Sequence, residues 1–177
     1  TIPKNKTAEA VFKARQDGVV AGLDIALRTF KLVDETLQTT PYVQDGDVVR
    51  AGDALAKVSG NARNILSAER VALNTLTHLC GIATATHNMV QRFKGTNARL
   101  LDTRKTLPGL RALQKYAVLC GGGVNHRMGL YDLVMIKDNH IAYAGGLKPA
   151  LEAAKAGKLA GKLSGVKIEV EVDTLAQ

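Results

Sequence analysis

Arg104, Lys105, His126, Arg127 and Lys137 all fall within the stretch LDTRKTLPGLRALQKYAVLCGGGVNHRMGLYDLVMIKDNHI, residues 101–141. Arginine forks match carboxylate or phosphate groups bidentately, and lysines add compact charge. These groups follow apolar runs or glycine turns, where a sheet would aim them into one pocket suited to a small molecule with several negative charges. Opposite charge follows in KIEVEVD, which carries Glu169, Glu171 and Asp173. Glu171 and Asp173 offer hard oxygen ligands to Mg²⁺, or could stabilise positive charge developing on a substrate. Each residue also has a plain alternative. A single Lys or Arg is commonly a solvated surface cation, and His126 and His140 can be satisfied structural imidazoles. The run Gly121-Gly122-Gly123 either cradles a phosphate or stops a helix. The case for a site rests on recurrence at consecutive strand ends: Asp102-Thr103-Arg104-Lys105, then Lys137-Asp138-Asn139-His140, then Glu169 to Asp173.

The elements that must position these groups can be read from the pattern. From residue 98 the texture alternates strand and helix. Residues 99–103 read as a short strand. A helix begins at Pro108, whose fixed φ and missing donor suit a first turn, and runs to Leu119. Leu133–Ile136 is a continuous apolar strand, as burial on both faces requires. A helix over 147–156 and a strand over 166–172 follow, with the Lys/Gly-rich AAKAGKLAGKLSG between them read as a mobile loop. This order predicts parallel βα units with functional residues at the C-terminal strand ends.

Upstream, residues 1–60 read as β-rich with one helix. Residues 8–16 are extended, Asp17-Gly18 is a turn, and Leu23–Val33 has helical spacing. Asp45-Gly46 and Ala51-Gly52-Asp53 punctuate TTPYVQDGDVVRAGDALAKVSG into hairpins. The pattern resembles a lipoyl or biotinyl hammerhead, but no lysine sits at a tight turn in the carrier manner, so cofactor carriage is not expected. Residues 66–93 form the strongest helical stretch, with Leu66, Leu73, Leu76, Cys80 and Ala83 as one apolar stripe. Arg70, Asn74 and Thr77 lie on another face, and Gly81 is expected to break or bend the stretch into two helices.

Composition narrows the partners. The net charge of +8 over 177 residues favours anionic partners. Aromatic content of 4% with no Trp is thin for a single-strand nucleic-acid binder, which stacks bases on rings, and the cations are not blocked into runs. Nucleic acid is therefore not an expected partner. A membrane is not either, because no apolar run approaches the roughly 20 residues needed to span one. Cys80 and Cys120 are too few for a structural zinc site, and reduced thiols in a cytoplasmic protein are the expectation.

The block DTRKTLPGLRALQKYAVLCGGGVNHRMGL, followed by IKDNH and preceded by ERVALN, closely resembles the quinolinate phosphoribosyltransferases of NAD biosynthesis. The resemblance extends through EVEVD and covers essentially the whole chain. It implies a decarboxylating pentosyltransferase that makes nicotinate mononucleotide, pyrophosphate and CO₂ from quinolinate and phosphoribosyl pyrophosphate, with Mg²⁺ as cofactor. The implied fold is α/β. Residues 1–97 would form an N-terminal α/β sandwich domain lacking its first residues. Residues 98–177 would form the first strands of an incomplete TIM-like α/β barrel, in keeping with the change of texture near residue 98.

By resemblance, Arg104 and Arg127 hold the quinolinate carboxylates, with Lys105, His126 and Lys137 lining the same pocket. Arg70, in ERVALN, is contributed across a homodimer interface. Glu171 serves the phosphoribosyl end together with Lys137, so that Lys105, Lys137 and Glu171 form the catalytic set. Glu171 and, less directly, Asp173 are the metal candidates. Two other readings compete. One is a paralogue acting on another anionic ring, disfavoured by the full set of basic residues. The other is a non-catalytic basic module binding nucleic acid, which would explain the charge without a pocket. Members of the family are longer at both ends, so the chain is expected to be a piece of a longer protein with little or no turnover by itself.

Overall fold

The computed structural model describes residues 1–161 and 165–177 and divides the chain into two compact units, residues 1–126 and 127–177. In the first unit, β1 (Thr7–Lys13), β5 (Ala54–Asn61) and β3 (Gln38–Pro41) form an antiparallel sheet with β5 in the centre. A second antiparallel pair joins β2 (Gly18–Val19) to β4 (Val48–Val49). Helices α1 (Leu23–Val33) and α2 (Ala62–Gln91) pack together, and α2 also contacts β1, β2 and β5. Phe12, Leu27, Phe30, Leu37, Val58, Ile65 and Leu76 belong to the core between these elements. The Phe12 and Phe30 rings meet edge to face with centroids 5.7 Å apart, a favoured aromatic geometry. These helices on an antiparallel sheet are the predicted α/β sandwich.

Local chemistry sets the helix starts. Gly22 enters α1 at φ 82°, a conformation that favours glycine. It offers no side-chain cap, and Asp45 supplies one from the turn between β3 and β4, which do not pair as the expected hairpin, by accepting from Gly22 N (2.8 Å) and Leu23 N (2.9 Å). A carboxylate there also complements the helix dipole. Asn61 caps α2 conventionally, accepting from Arg63 N and Asn64 N.

Three expectations are corrected here. Gly81 does not divide α2, which runs unbroken for 30 residues. One glycine costs a helix about 1 kcal/mol, and α2 packs against α1, β1, β2, β5 and the helix α3 (Arg111–Cys120). The expected stripe of α2 holds only in part: Leu76 and Ala83 are buried and Leu73 and Cys80 pack against the core, but Leu66 is exposed, and Ile65, Ala68, Ala72 and Leu79 complete the buried face. Small alanines let α2 approach its neighbours, a requirement that a search for large apolar residues misses. Finally, the strand expected at 99–103 reduces to one parallel bridge between Leu101 and Val124. Its backbone bonds are Asp102 N to Val124 O (3.1 Å) and Val124 N to Leu100 O (2.9 Å).

Pro108 lies in a turn, closed by Leu110 N donating to Leu107 O, that precedes α3. Gly121 and Gly122 end that helix. A Cβ on Gly121 would lie 2.4 Å from Ala83 O, and Gly122 has φ 84°. The glycine run is thus explained by a helix stop and a close approach to α2.

In the second unit, β6 (Leu133–Ile136) pairs in parallel with β7 (Lys167–Val170), from Leu133↔Lys167 to Ile136↔Val170. Between them lie α4 (Asp138–Tyr143) and α5 (Leu147–Leu159). This is the predicted parallel βα arrangement. Of β6 only Ile136 is fully buried, so the expected burial on both faces is not met among the described residues. Helix α5 reaches three residues beyond the expected 156, into the stretch read as a mobile loop, and residues 162–164 of that stretch lie outside the described residues.

Candidate anion-binding site

The loop after the Leu101–Val124 bridge carries Asp102, Thr103, Arg104 and Lys105. It is tied to α3 at two levels. Near the helix start, Arg111 donates through Nη2 to Arg104 O (3.3 Å) and through Nε to Thr106 Oγ1 (3.1 Å). One turn on, Lys115 is 1% exposed and its ammonium is paired with the Asp102 carboxylate. Lys115 Nζ also donates to His126 O (3.1 Å), while His126 N donates to Asp102 Oδ1 (2.8 Å). With its amide turned to suit its neighbours, Asn125 donates to Asp102 Oδ2 (2.8 Å) and Lys115 O (2.9 Å). The first unit therefore brings the Arg104-Lys105 loop and His126 together around one buried ion pair.

Arg104 shows the feature most suggestive of a ligand. Its Nε is buried and has no hydrogen-bond partner in the structure. Nearly all buried polar atoms are satisfied, and a charged donor left bare is costly. Lys105 lines a neighbouring cavity of about 260 Å³ with Asp102, Thr103, Gln114 and Lys115. Arg70 lies elsewhere in this unit, exposed on α2, and lines a groove of about 750 Å³ with Lys13, Arg15 and Thr77.

In the second unit, Arg127 donates to the carbonyl of Leu133 (3.4 Å), the first residue of β6. Asp132 holds the intervening turn by accepting from Met128 N and Gly129 N. Lys137 directly follows β6 and caps the start of α4, its backbone N donating to His140 Nδ1 (3.1 Å). The Lys137 ammonium pairs with Glu171 Oε2 at 2.7 Å. Glu171 N donates to Ile136 O (2.9 Å), so the ends of both parallel strands are joined by backbone and side chain. Asp173 is exposed, and its backbone N donates to Gln177 Oε1.

For a metal ion, no group of three or more His, Cys, Asp or Glu side chains comes together among the described residues. Glu171 and Asp173 are hard oxygen donors of the kind Mg²⁺ accepts in ones and twos, when substrate phosphates and water fill the remaining positions. That donor set fits Mg²⁺ arriving with a phosphorylated substrate and does not form a cage of its own.

Sequence reading missed Lys115 and Asn125. A usable signal was Asp102: a carboxylate leaving an apolar run needs a buried partner, and Lys115 is the only basic residue of α3 beyond Arg111.

Comparison with known proteins bears on the whole chain. A family model described as the N-terminal domain of quinolinate phosphoribosyl transferase matches residues 1–80, and one described as its C-terminal domain matches residues 82–177. A curated mitochondrial quinolinate phosphoribosyltransferase [decarboxylating] 2a of Nicotiana tabacum is 48% identical over 177 residues, covering all of this chain and 50% of that protein. A nicotinate-nucleotide pyrophosphorylase [carboxylating] of Mycobacterium leprae is 45% identical over 182 residues, covering 61% of its length. The crystal structure of NadC from Streptococcus pyogenes superposes with a TM-score of 0.90 at 41% identity, over 99% of this chain and 61% of that one. The chain spans about half the length of the plant relatives it matches.

Proposed function

The chain belongs to the quinolinate phosphoribosyltransferase family, and from that premise we propose that it serves the decarboxylating transfer of a phosphoribosyl group from phosphoribosyl pyrophosphate to quinolinate in NAD biosynthesis. The observation that carries this reading is the buried, unpartnered Nε of the half-buried Arg104, a charged donor suited to a carboxylate. Arg104 and Arg127 take the two quinolinate carboxylates, with Lys105 and Lys137 adding positive charge and His126 lining the same pocket. Two anions must be brought together, and fixed cations offset their repulsion while orienting the pyridine nitrogen toward the anomeric carbon.

As that nitrogen attacks and pyrophosphate departs, positive charge builds on the ribose. Glu171, held by Lys137 at 2.7 Å, is the carboxylate that stabilises it. Glu171 and Asp173 would hold Mg²⁺ together with substrate oxygens, where the ion would neutralise charge on the leaving group. Once the C–N bond exists, the cationic ring nitrogen stabilises the carbanion left at the adjacent carbon as CO₂ departs. That carbanion takes a proton from solvent, so the reaction needs no general base from the chain.

Arg70 acts in the neighbouring copy of a homodimer, a role supported by its exposed place beside a groove. A cytoplasmic location is part of the same proposal; Cys80 and Cys120 are both free thiols. Among the described residues no helix is long and apolar enough to cross a membrane. Calorimetric titration with quinolinate tests the reading. Saturable binding weakened at least about 30-fold by Arg104→Ala is expected; unchanged affinity in that variant overturns it.

A further inference from the structure

We infer that Lys115 is a positioning residue, which uses Asp102 to set the Arg104-Lys105 loop and the His126 backbone in one fixed arrangement. Its importance to catalysis rests on the function proposed above; the geometry itself does not. The Lys115 side chain is 1% exposed and its partner Asp102 is 7% exposed, so the pair is turned toward the protein and not toward solvent. Between them they satisfy both backbone groups of His126: the ammonium donates to His126 O and the carboxylate accepts from His126 N. Asn125 closes the same ring from Asp102 Oδ2 to Lys115 O.

Asp102 lies two residues before Arg104, and the Arg104 carbonyl is itself held by Arg111 on α3, the helix that carries Lys115. One rigid helix thus grips both edges of the segment that presents the bare Arg104 Nε. A buried ion pair adds little net stability over an apolar pair of similar volume, so stability alone gives no reason to place charges here. Directional bonds to a loop backbone do.

The test uses the ¹⁵N-labelled chain and two substitutions. Lys115→Met removes the ammonium. The double variant Asp102→Leu with Lys115→Met replaces both charges by apolar side chains and keeps the interior free of an orphaned carboxylate. In whichever of these is folded by circular dichroism, the His126 amide is expected to exchange at least about tenfold faster. The Arg104 Nε–Hε resonance is expected to move or broaden, while amides of α1 and β5 keep wild-type protection. A purely structural pair would change global stability and protection everywhere alike.

Unchanged His126 exchange and an unmoved Arg104 Nε–Hε signal in a folded variant overturn the inference. So does global unfolding of the double variant, which would make the pair a requirement for folding. A quinolinate titration of the double variant separates the two readings. Loss of wild-type-like binding there, with the local changes above, supports both. Absence of binding by the unaltered chain would count against the proposed function alone.

Discussion

Two lysines of this chain face carboxylates in opposite surroundings, and the difference decides what each contributes. Lys115 and Asp102 are almost wholly buried, whereas Lys137 and Glu171 are 38% and 52% exposed. Removing one member of a buried pair strands a charge, so Lys115→Met is expected to cost about 3–5 kcal/mol in urea unfolding. Lys137→Met breaks a solvated pair and is expected to change stability by less than about 1 kcal/mol, although on the proposed function it abolishes turnover of the intact enzyme. Equal destabilisation by the two would contradict this account. The thiols make a further residue-scale prediction. Burial raises the pKa of Cys80, and of Cys120 beside Tyr116. Raised values mean less thiolate at pH 8, so disulfide reagents should label the folded chain far more slowly than the urea-unfolded one, and faster as pH rises.

At the scale of elements, glycines and caps make opposite demands. A Cβ on Gly81 meets nothing within 4 Å, and the residue is helical. Gly81→Ala should therefore raise stability by about 1 kcal/mol. Gly121→Ala would press a methyl group against Ala83 O and Thr86 and should lower it by about 1–3 kcal/mol. Thermal melts of both variants decide the matter by sign.

At the end of α1, Asp34 accepts from Thr36 Oγ1, from Asn64 Nδ2 on α2 and from Thr36 N, which together lower its carboxyl pKa. A lowered folded value means that its contribution is present above the ordinary carboxylate pKa of about 4 and is lost as pH falls through the folded value. Asp34→Asn should thus be less stable than the wild-type chain near pH 7, and the gap should close in acid. A pH-independent gap would show that the carboxylate charge is not involved. Helix α1 and strand β6 have the bounds that spacing predicts, Leu23–Val33 and Leu133–Ile136. The strand expected at 99–103 failed because a strand needs a ladder of partners, and Val124 supplies a single bridge.

For the molecule as a whole, the two compact units differ in how much apolar surface they cover. The first holds both core clusters. The second rests on a two-stranded parallel sheet, with Leu130, Tyr131, Tyr143, Leu159 and Leu175 strongly exposed among its described residues. A two-stranded sheet is marginal, and its unpaired edges invite association. Hydrogen exchange should find β6 and β7 amides opening well before those of β5 and α2. Sedimentation should show self-association growing with concentration. Uniform protection across both units in a strictly monomeric chain would refute this picture.

What the sequence determined by itself was local. Periodicity and turn chemistry act over a few residues, so most helices, the turns at Asp45-Gly46 and Gly52 and the basic residues following apolar runs were legible without coordinates. The hairpins expected at those turns were not, because β3 pairs with β5 and β4 with β2 instead of with each other. Which of those cations are exposed, paired or bare was not. Lys115 meets Asp102 across 13 residues and Lys137 meets Glu171 across 34, and the bare Nε of Arg104 exists only because the folded loop excludes water and offers it no partner. Burial and long-range pairing depend on the path of the whole chain, and only the tertiary structure decides them.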